Sequence, residues 1–184
     1  MATNKLRFLA VFVCTILMAC QSQPASQGPG GKESTDALTF MTCTTAVCTC
    51  NANVCRIPVD VSTCAATGIP NIVTTMLKVQ TIPGNPDPRI VWVIMPLASP
   101  YVFHRGTGVV LKNPNADPTG QFYQKYVADA GDKPVPSQPT GKRYHWRNQN
   151  VLTEINSYDY EVNVYTDDAQ QTRCHKDPTI HNQG

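Results

Sequence analysis

The chain has 184 residues, with 15 Lys and Arg against 13 Asp and Glu, a formal charge of +2. That balance excludes a nucleic-acid backbone as the main partner, because neutralising phosphates takes a basic excess. Eight Cys in a chain of this size point to an oxidising compartment.

Taken from the start, Lys5 and Arg7 precede "FLAVFVCTIL", an apolar run of ten residues from Phe8 to Leu17. A bilayer span needs roughly 20 residues, whereas the shorter run has the length of a secretory h-region. Leu17-Met18-Ala19-Cys20 closes it and resembles a bacterial lipobox, with Leu three before the Cys and Ala one before. The resemblance covers the leader alone. It implies that residues 1–19 are a signal peptide, that Cys20 is lipidated, and that the membrane is a partner through this lipid anchor. The implied location is the bacterial cell envelope. If the host has two membranes, Gln21 implies the outer one, facing the periplasm or the surface. Residues 20–42 are then the lipidated Cys and a flexible tether. The stretch "QSQPASQGPGGKESTDAL", residues 21–38, has almost nothing to bury and would span about 25 Å root-mean-square. Losing Lys5 and Arg7 with the leader makes the mature chain formally neutral, which strengthens the case against nucleic acid.

Cysteine arithmetic agrees with export. Cys14 lies in the leader and Cys20 would carry lipid, leaving Cys43, Cys48, Cys50, Cys55, Cys64 and Cys174. An even set suits three disulfides, with 15 possible connectivities. The dense "CTTAVCTCNANVC" lacks the C-x2-C pairs of structural zinc sites, so bridges stapling an N-terminal segment onto the domain are the expectation. Cys174 should pair with one of the other five, with Cys55 and Cys64 leading because they flank the first clear strand.

Residues 43–184 suit one domain. Short alternating runs recur between Pro, Gly, Asn and Asp, an all-β signature. "CRIPVDVS" and "NIVTTMLKVQ" come first. "RIVWVIM" is apolar on both faces, as a central buried strand is. "QFYQKYVA" and "GKRYHWRN" are more polar. "YDYEVNVYT" sets Tyr158, Tyr160, Val162 and Val164 on one face and Asp159, Glu161 and Asn163 on the other. "TDDAQQ" then turns the chain into a return strand at "TRC". A central Trp and a late Tyr-x-Tyr-x-Val-x-Val strand resemble an immunoglobulin-like β-sandwich of seven or eight short strands. No Cys follows Trp92 before Cys174, so the resemblance is to the architecture and implies no activity.

Four stretches carry candidate chemistry. "RCHKDPTIHN" offers His175 and His181, which with His104 give ligand types for copper or another metal. Neighbouring Cys174 and His175 point to opposite strand faces, which favours a disulfide at Cys174 instead. "NPNADPTG" echoes a calcium loop but has one carboxylate and no suitable Gly, so it reads as a turn-rich connection. "KRYHWRN" alternates Tyr144 and Trp146 with Arg143, His145 and Arg147. One reading is a ligand platform for a sugar or an anion. The favoured one puts Tyr144 and Trp146 in the core and leaves a solvated outer face. The Pro-rich "DAGDKPVPSQPTG" before it is long enough to be functional.

No nucleophile elbow, S-x-x-K, H-E-x-x-H or P-loop is present. The expectation is a non-enzymatic, lipid-anchored binding or structural module without cofactor, whose partner is an envelope protein or glycan. A metal-binding envelope protein and a hydrolase with an unrecognised site are the alternatives.

Overall fold

Short β-rich segments separated by breakers become thirteen strands and one brief helix among the described residues. The computed structural model describes residues 40–80, 87–113, 115, 117, 120–129, 138–151, 157–166 and 173–183, all inside one compact unit, Asp36–Gly184. The leader, Cys20 and the tether to residue 39 lie outside the described residues, as do residues 130–137 of the Pro-rich loop. In chain order the strands are β1 (Phe40–Thr42), β2 (Val47–Cys50), β3 (Val54–Asp60), β4 (Met76–Val79), β5 (Arg89–Met95), β6 (Phe103–His104) and β7 (Val109–Leu111). Then come β8 (Phe122–Ala128), β9 (Thr140–Gly141), β10 (Arg143–Asn148), β11 (Ser157–Tyr165), β12 (Arg173–Lys176) and β13 (Thr179–Asn182). Helix α1 (Cys64–Thr67) follows β3. No helix among the described residues is long and apolar enough to cross a membrane.

The strands form two mixed sheets and a small third. Sheet I has the order β1-β3-β5-β10-β8. Sheet II has the order β12-β11-β13-β4-β2, with β7 also paired to β11. The third is the pair β6-β9. β12 and β13 pair with β11 in one unbroken register across Asp177 and Pro178, so they are one long strand interrupted where Pro178 has no N–H to give.

The first five strands alternate between the layers: β1, β3 and β5 in sheet I, β2 and β4 in sheet II. Each return to a layer therefore comes in the same direction, and β1, β3 and β5 run parallel, as do β2 and β4. An immunoglobulin-like sandwich has antiparallel sheets, and this strand order does not reproduce it. The layer changes also explain the C-x4-C spacing. Cys43 just after β1 bonds Cys48 in β2, with Cα atoms 5.6 Å apart. Cys50 at the end of β2 bonds Cys55 in β3, with Cα atoms 5.9 Å apart. Each pair staples a crossing between sheets, which is more specific than fastening a loop-rich segment. Cys64 at the start of α1 bonds Cys174 in β12 across a separation of 110 residues.

Between the sheets lies an aromatic core. The Trp92 ring meets Trp146 edge-on at 5.1 Å and Tyr160 of sheet II at 5.3 Å. Phe122 meets Tyr158 of sheet II at 5.0 Å. Such pairs add about 0.5–1.5 kcal/mol each beyond the area they bury. The Trp92 indole N–H donates to the Tyr160 hydroxyl at 3.3 Å. Burial pushes the Tyr160 phenol well above its usual pKa, which keeps it neutral. At one end, Asn148 Nδ2 of sheet I donates to Asn182 Oδ1 of sheet II at 2.7 Å, and Asn148 Oδ1 accepts from the Asn150 backbone N–H at 2.9 Å. These buried amides hold one another and read as a latch between the layers.

Candidate functional site

The face of sheet I turned away from the core gathers the features that packing leaves unexplained. Residues opposite one another in register share a face. Arg56 of β3, Val91 of β5, His145 of β10 and Tyr126 of β8 therefore form one cross-strand row. Arg89, Arg147 and Tyr123 form the next row. Pro58, Val93 and Arg143 form the row on the other side of His145. Four arginines from three strands thus surround one histidine.

A bulge in β8 builds part of this face. Tyr126 stands opposite His145 and Tyr123 opposite Arg147, so β8 spends one residue more than β10 between these partners. Gln124 takes a positive φ of 48° there, the left-handed conformation that a bulge can require. Three residues apart on a regular strand, Tyr123 and Tyr126 would point to opposite faces. The extra residue puts both opposite outward-facing partners. The Tyr123 hydroxyl donates to Asp87 Oδ2 at 2.6 Å, and Arg147 Nη1 donates to the Asp87 carbonyl at 2.9 Å.

His145 is 0% exposed, and its ring stacks on Tyr126 at 4.4 Å with 8° between planes. Neither ring nitrogen has a hydrogen-bond partner among the described residues. Burial, with Arg89, Arg143 and Arg56 nearby, lowers its pKa to about 3. The ring is neutral near pH 7, one nitrogen a donor and the other an acceptor. Leaving buried polar atoms unpaired costs about 1–3 kcal/mol, and such groups are uncommon in native folds. Alternation in "KRYHWRN" predicts a solvated outer face. Arg143 and Arg147 are there and only partly buried, but His145 is not solvated.

Beside this cluster, Thr42, Arg56, Pro58, Val93 and Met95 line an apolar groove of about 230 Å³. Met95 is 43% exposed on its rim. Arg56 belongs both to the groove and to the row of His145.

The other candidates resolve plainly. Tyr144 and Trp146 are core residues, 1% and 0% exposed, so the aromatic half of the predicted platform faces inward. Burial pushes the Tyr144 phenol up to about 12, and its hydroxyl donates to the Arg105 carbonyl at 2.7 Å. The structure does not bring His104, His175 and His181 together. His104 is buried edge-on against Tyr165, with ring centroids 4.8 Å apart. His175 and His181 sit six residues apart along the β12–β13 line, about 20 Å of extended strand. Among the described residues no three His, Cys, Asp or Glu side chains converge as a metal site. All six candidate cysteines are in the three disulfides. Ser157 Oγ lies 2.7 Å from His181 Nδ1, beside a recess of about 290 Å³. The two residues are direct cross-strand partners, a geometry that brings such side chains within reach without catalysis. No hydrogen bond from a carboxylate orients His181 among the described residues.

Comparison with models of known protein families gives no match, and a search of curated proteins finds no relative in sequence.

Proposed function

We propose that the protein is a lipid-anchored, non-enzymatic binding module of the bacterial cell envelope, and that it takes its ligand on the outer face of sheet I. The observation that carries this reading is the apolar groove of about 230 Å³ on that face, lined by Thr42, Arg56, Pro58, Val93 and Met95, with Met95 43% exposed on its rim. Envelope proteins and glycans both present anionic groups that suit such a face. The likeness to immunoglobulin-type modules is one of architecture, two β layers about a central Trp.

The disulfides support the anchor. Six of the eight Cys bond one another, and Cys14 falls in the leader, so Cys20 is the Cys left for lipid. Cys20→Ser should abolish lipid labelling and release the protein from membranes. Unchanged fractionation would remove the anchor. Binding is tested by capture from envelope extract with wild type and Arg147→Ser, after circular dichroism shows that both are folded. Capture of an envelope component by wild type and its loss in the variant is the expected result. Equal capture by both would place the binding surface elsewhere.

A further inference from the structure

The outer face of sheet II carries a recess of its own, about 370 Å³ in volume. It is lined by Thr107, Val110 of β7, Glu161, Asn163 and Tyr165 of β11, and Arg173 of β12. Arg173 stands opposite Tyr165 in register, yet its guanidinium lies back along β11. Its Nε donates to Asn163 Oδ1 at 2.6 Å, and its Nη2 donates to Glu161 Oε1. Asn163 is buried, and its Nδ2 donates to the Thr107 carbonyl at 2.9 Å. The guanidinium is therefore pinned at two points, one of them fixed in turn by the β6–β7 connection. A side chain already held in place loses little freedom when a ligand arrives, which removes one cost of binding. The Arg173 and Glu161 side chains stay 45% and 22% exposed, so a ligand can reach both. Among the described residues, Arg173 Nη1 and Glu161 Oε2 make no hydrogen bond.

This floor selects against charge. An anion drawn to Arg173 meets the Glu161 carboxylate bonded beside it, and a cation drawn to Glu161 meets Arg173. Asp177, which continues the β12 register opposite Glu161, is paired with Lys112 at 2.9 Å, so that flank adds no net charge. A neutral hydroxyl both donates and accepts. Two neighbouring hydroxyls can therefore accept from Arg173 Nη1 and donate to Glu161 Oε2, and hydrogen bonds to charged groups are the stronger kind. Val110, opposite Glu161 in register, gives the recess an apolar wall for the C–H face of a sugar ring. The volume lies at the low end of the roughly 300–1,000 Å³ of small-molecule sites, which suits one sugar residue. We infer that the outer face of sheet II is a second binding site, for a neutral sugar residue of a glycan, with neighbouring hydroxyls on Arg173 and Glu161 and the ring against Val110. It is independent of the groove on sheet I.

The test uses the full-length, isotope-labelled Cys20→Ser protein, titrated separately with the methyl glycosides of glucose, galactose, mannose and N-acetylglucosamine. Binding is read from the resonances of the Arg173 Nε–H, the Asn163 side-chain amide and the Val110 backbone amide. At least one glycoside should shift all three saturably, with a Kd on the order of 1 mM for so small a ligand. The uronate of that sugar should bind no more tightly, because Glu161 offsets the pull of Arg173. Two variants, each shown by circular dichroism to be folded, separate the roles. Arg173→Gln should weaken the glycoside by about tenfold or more, as the loss of a hydrogen bond to a charged group does. Glu161→Gln leaves the guanidinium uncompensated. The uronate should then gain about fivefold over the neutral glycoside, the effect of one unit charge at about 4 Å in water. Shifts with none of the four glycosides would overturn the proposal. So would a uronate, or the zwitterion glycine, that binds the Cys20→Ser protein more tightly than every glycoside. A preference between uronate and glycoside that Glu161→Gln does not move would also overturn it, because the ligand would then not lie on the ion pair.

Discussion

Replacing His145 by Phe is the sharpest test of what that ring does, because the structure predicts a gain in stability from losing it. Phe keeps an aromatic ring stacked on Tyr126, now at 4.4 Å, and removes two buried nitrogens that have no partner among the described residues. Removing unpaired polar atoms should return about 1–3 kcal/mol, less up to about 1 kcal/mol for the slightly larger ring. A net gain of about 1–2 kcal/mol corresponds to a rise of roughly 2–8 °C in the melting temperature of a domain this size. The pH dependence supplies a second readout. The folded pKa of His145, about 3, lies below its ordinary 6.5, so the unfolded chain binds a proton that the native ring refuses. Stability contributed at this position is therefore present above pH 6.5 and lost as pH falls toward about 3, with a slope of up to about 1.4 kcal/mol per pH unit. Urea unfolding of wild type and His145→Phe across this range measures the difference, which should widen in favour of the variant as pH falls. A variant less stable than wild type by more than about 1 kcal/mol at neutral pH, or a difference that does not change with pH, would show that His145 is a satisfied structural residue.

Three further substitutions probe the frame that presents this face. Cys174→Ser opens the bridge to Cys64, which spans 110 residues, and on the loop-entropy model should cost up to about 4–5 kcal/mol; denaturant midpoints should fall markedly and alkylation of the unfolded variant should count one new thiol, Cys64. Tyr160→Phe leaves the buried Trp92 N–H without its acceptor and should cost about 1–3 kcal/mol by thermal unfolding, with the fold unchanged by circular dichroism. Gly141→Ala would place a Cβ 2.8 Å from the Ala128 carbonyl oxygen and 2.9 Å from its backbone nitrogen, so β8 must move; a lowered melting temperature is expected, and a neutral result would show that the β8–β9 contact is looser than described.

The strands were legible because period-two alternation needs only local sequence. "SYDYEVNVY" has its Tyr and Val residues in the core as the pattern requires, and Tyr144 and Trp146 face inward for the same reason. The partners of those strands were not legible. That β1, β3 and β5 lie side by side and parallel follows from the chain changing layer at each connection. Nothing in "CRIPVDVS" or "RIVWVIM" specifies a neighbour. One clue to the layer changes was present but unread: C-x4-C twice in succession places a bridge at each short crossing. Cys64 as the partner of Cys174 was narrowed to two by its position beside the first clear strand, and the structure chooses between them.

The site was half legible for a related reason. Alternation puts Arg143, His145 and Arg147 on one face of β10, but it cannot say which of them is covered. That depends on a neighbouring strand, and on a bulge at Gln124 that a polar "YQKY" does not announce. Without the extra residue, Tyr123 and Tyr126 would divide between the faces, and Tyr126 would not stack on the His145 ring with both tyrosines on the arginine side. The bulge thus turns an ordinary cationic strand face into one with a fixed, buried imidazole at its centre, its nitrogens without a hydrogen-bond partner among the described residues. A fold seeking stability alone would place an apolar ring there, and a fold seeking solubility alone would leave the histidine in water. A neutral ring held flat among arginines does neither, which is why replacing it with an apolar ring should raise stability rather than lower it.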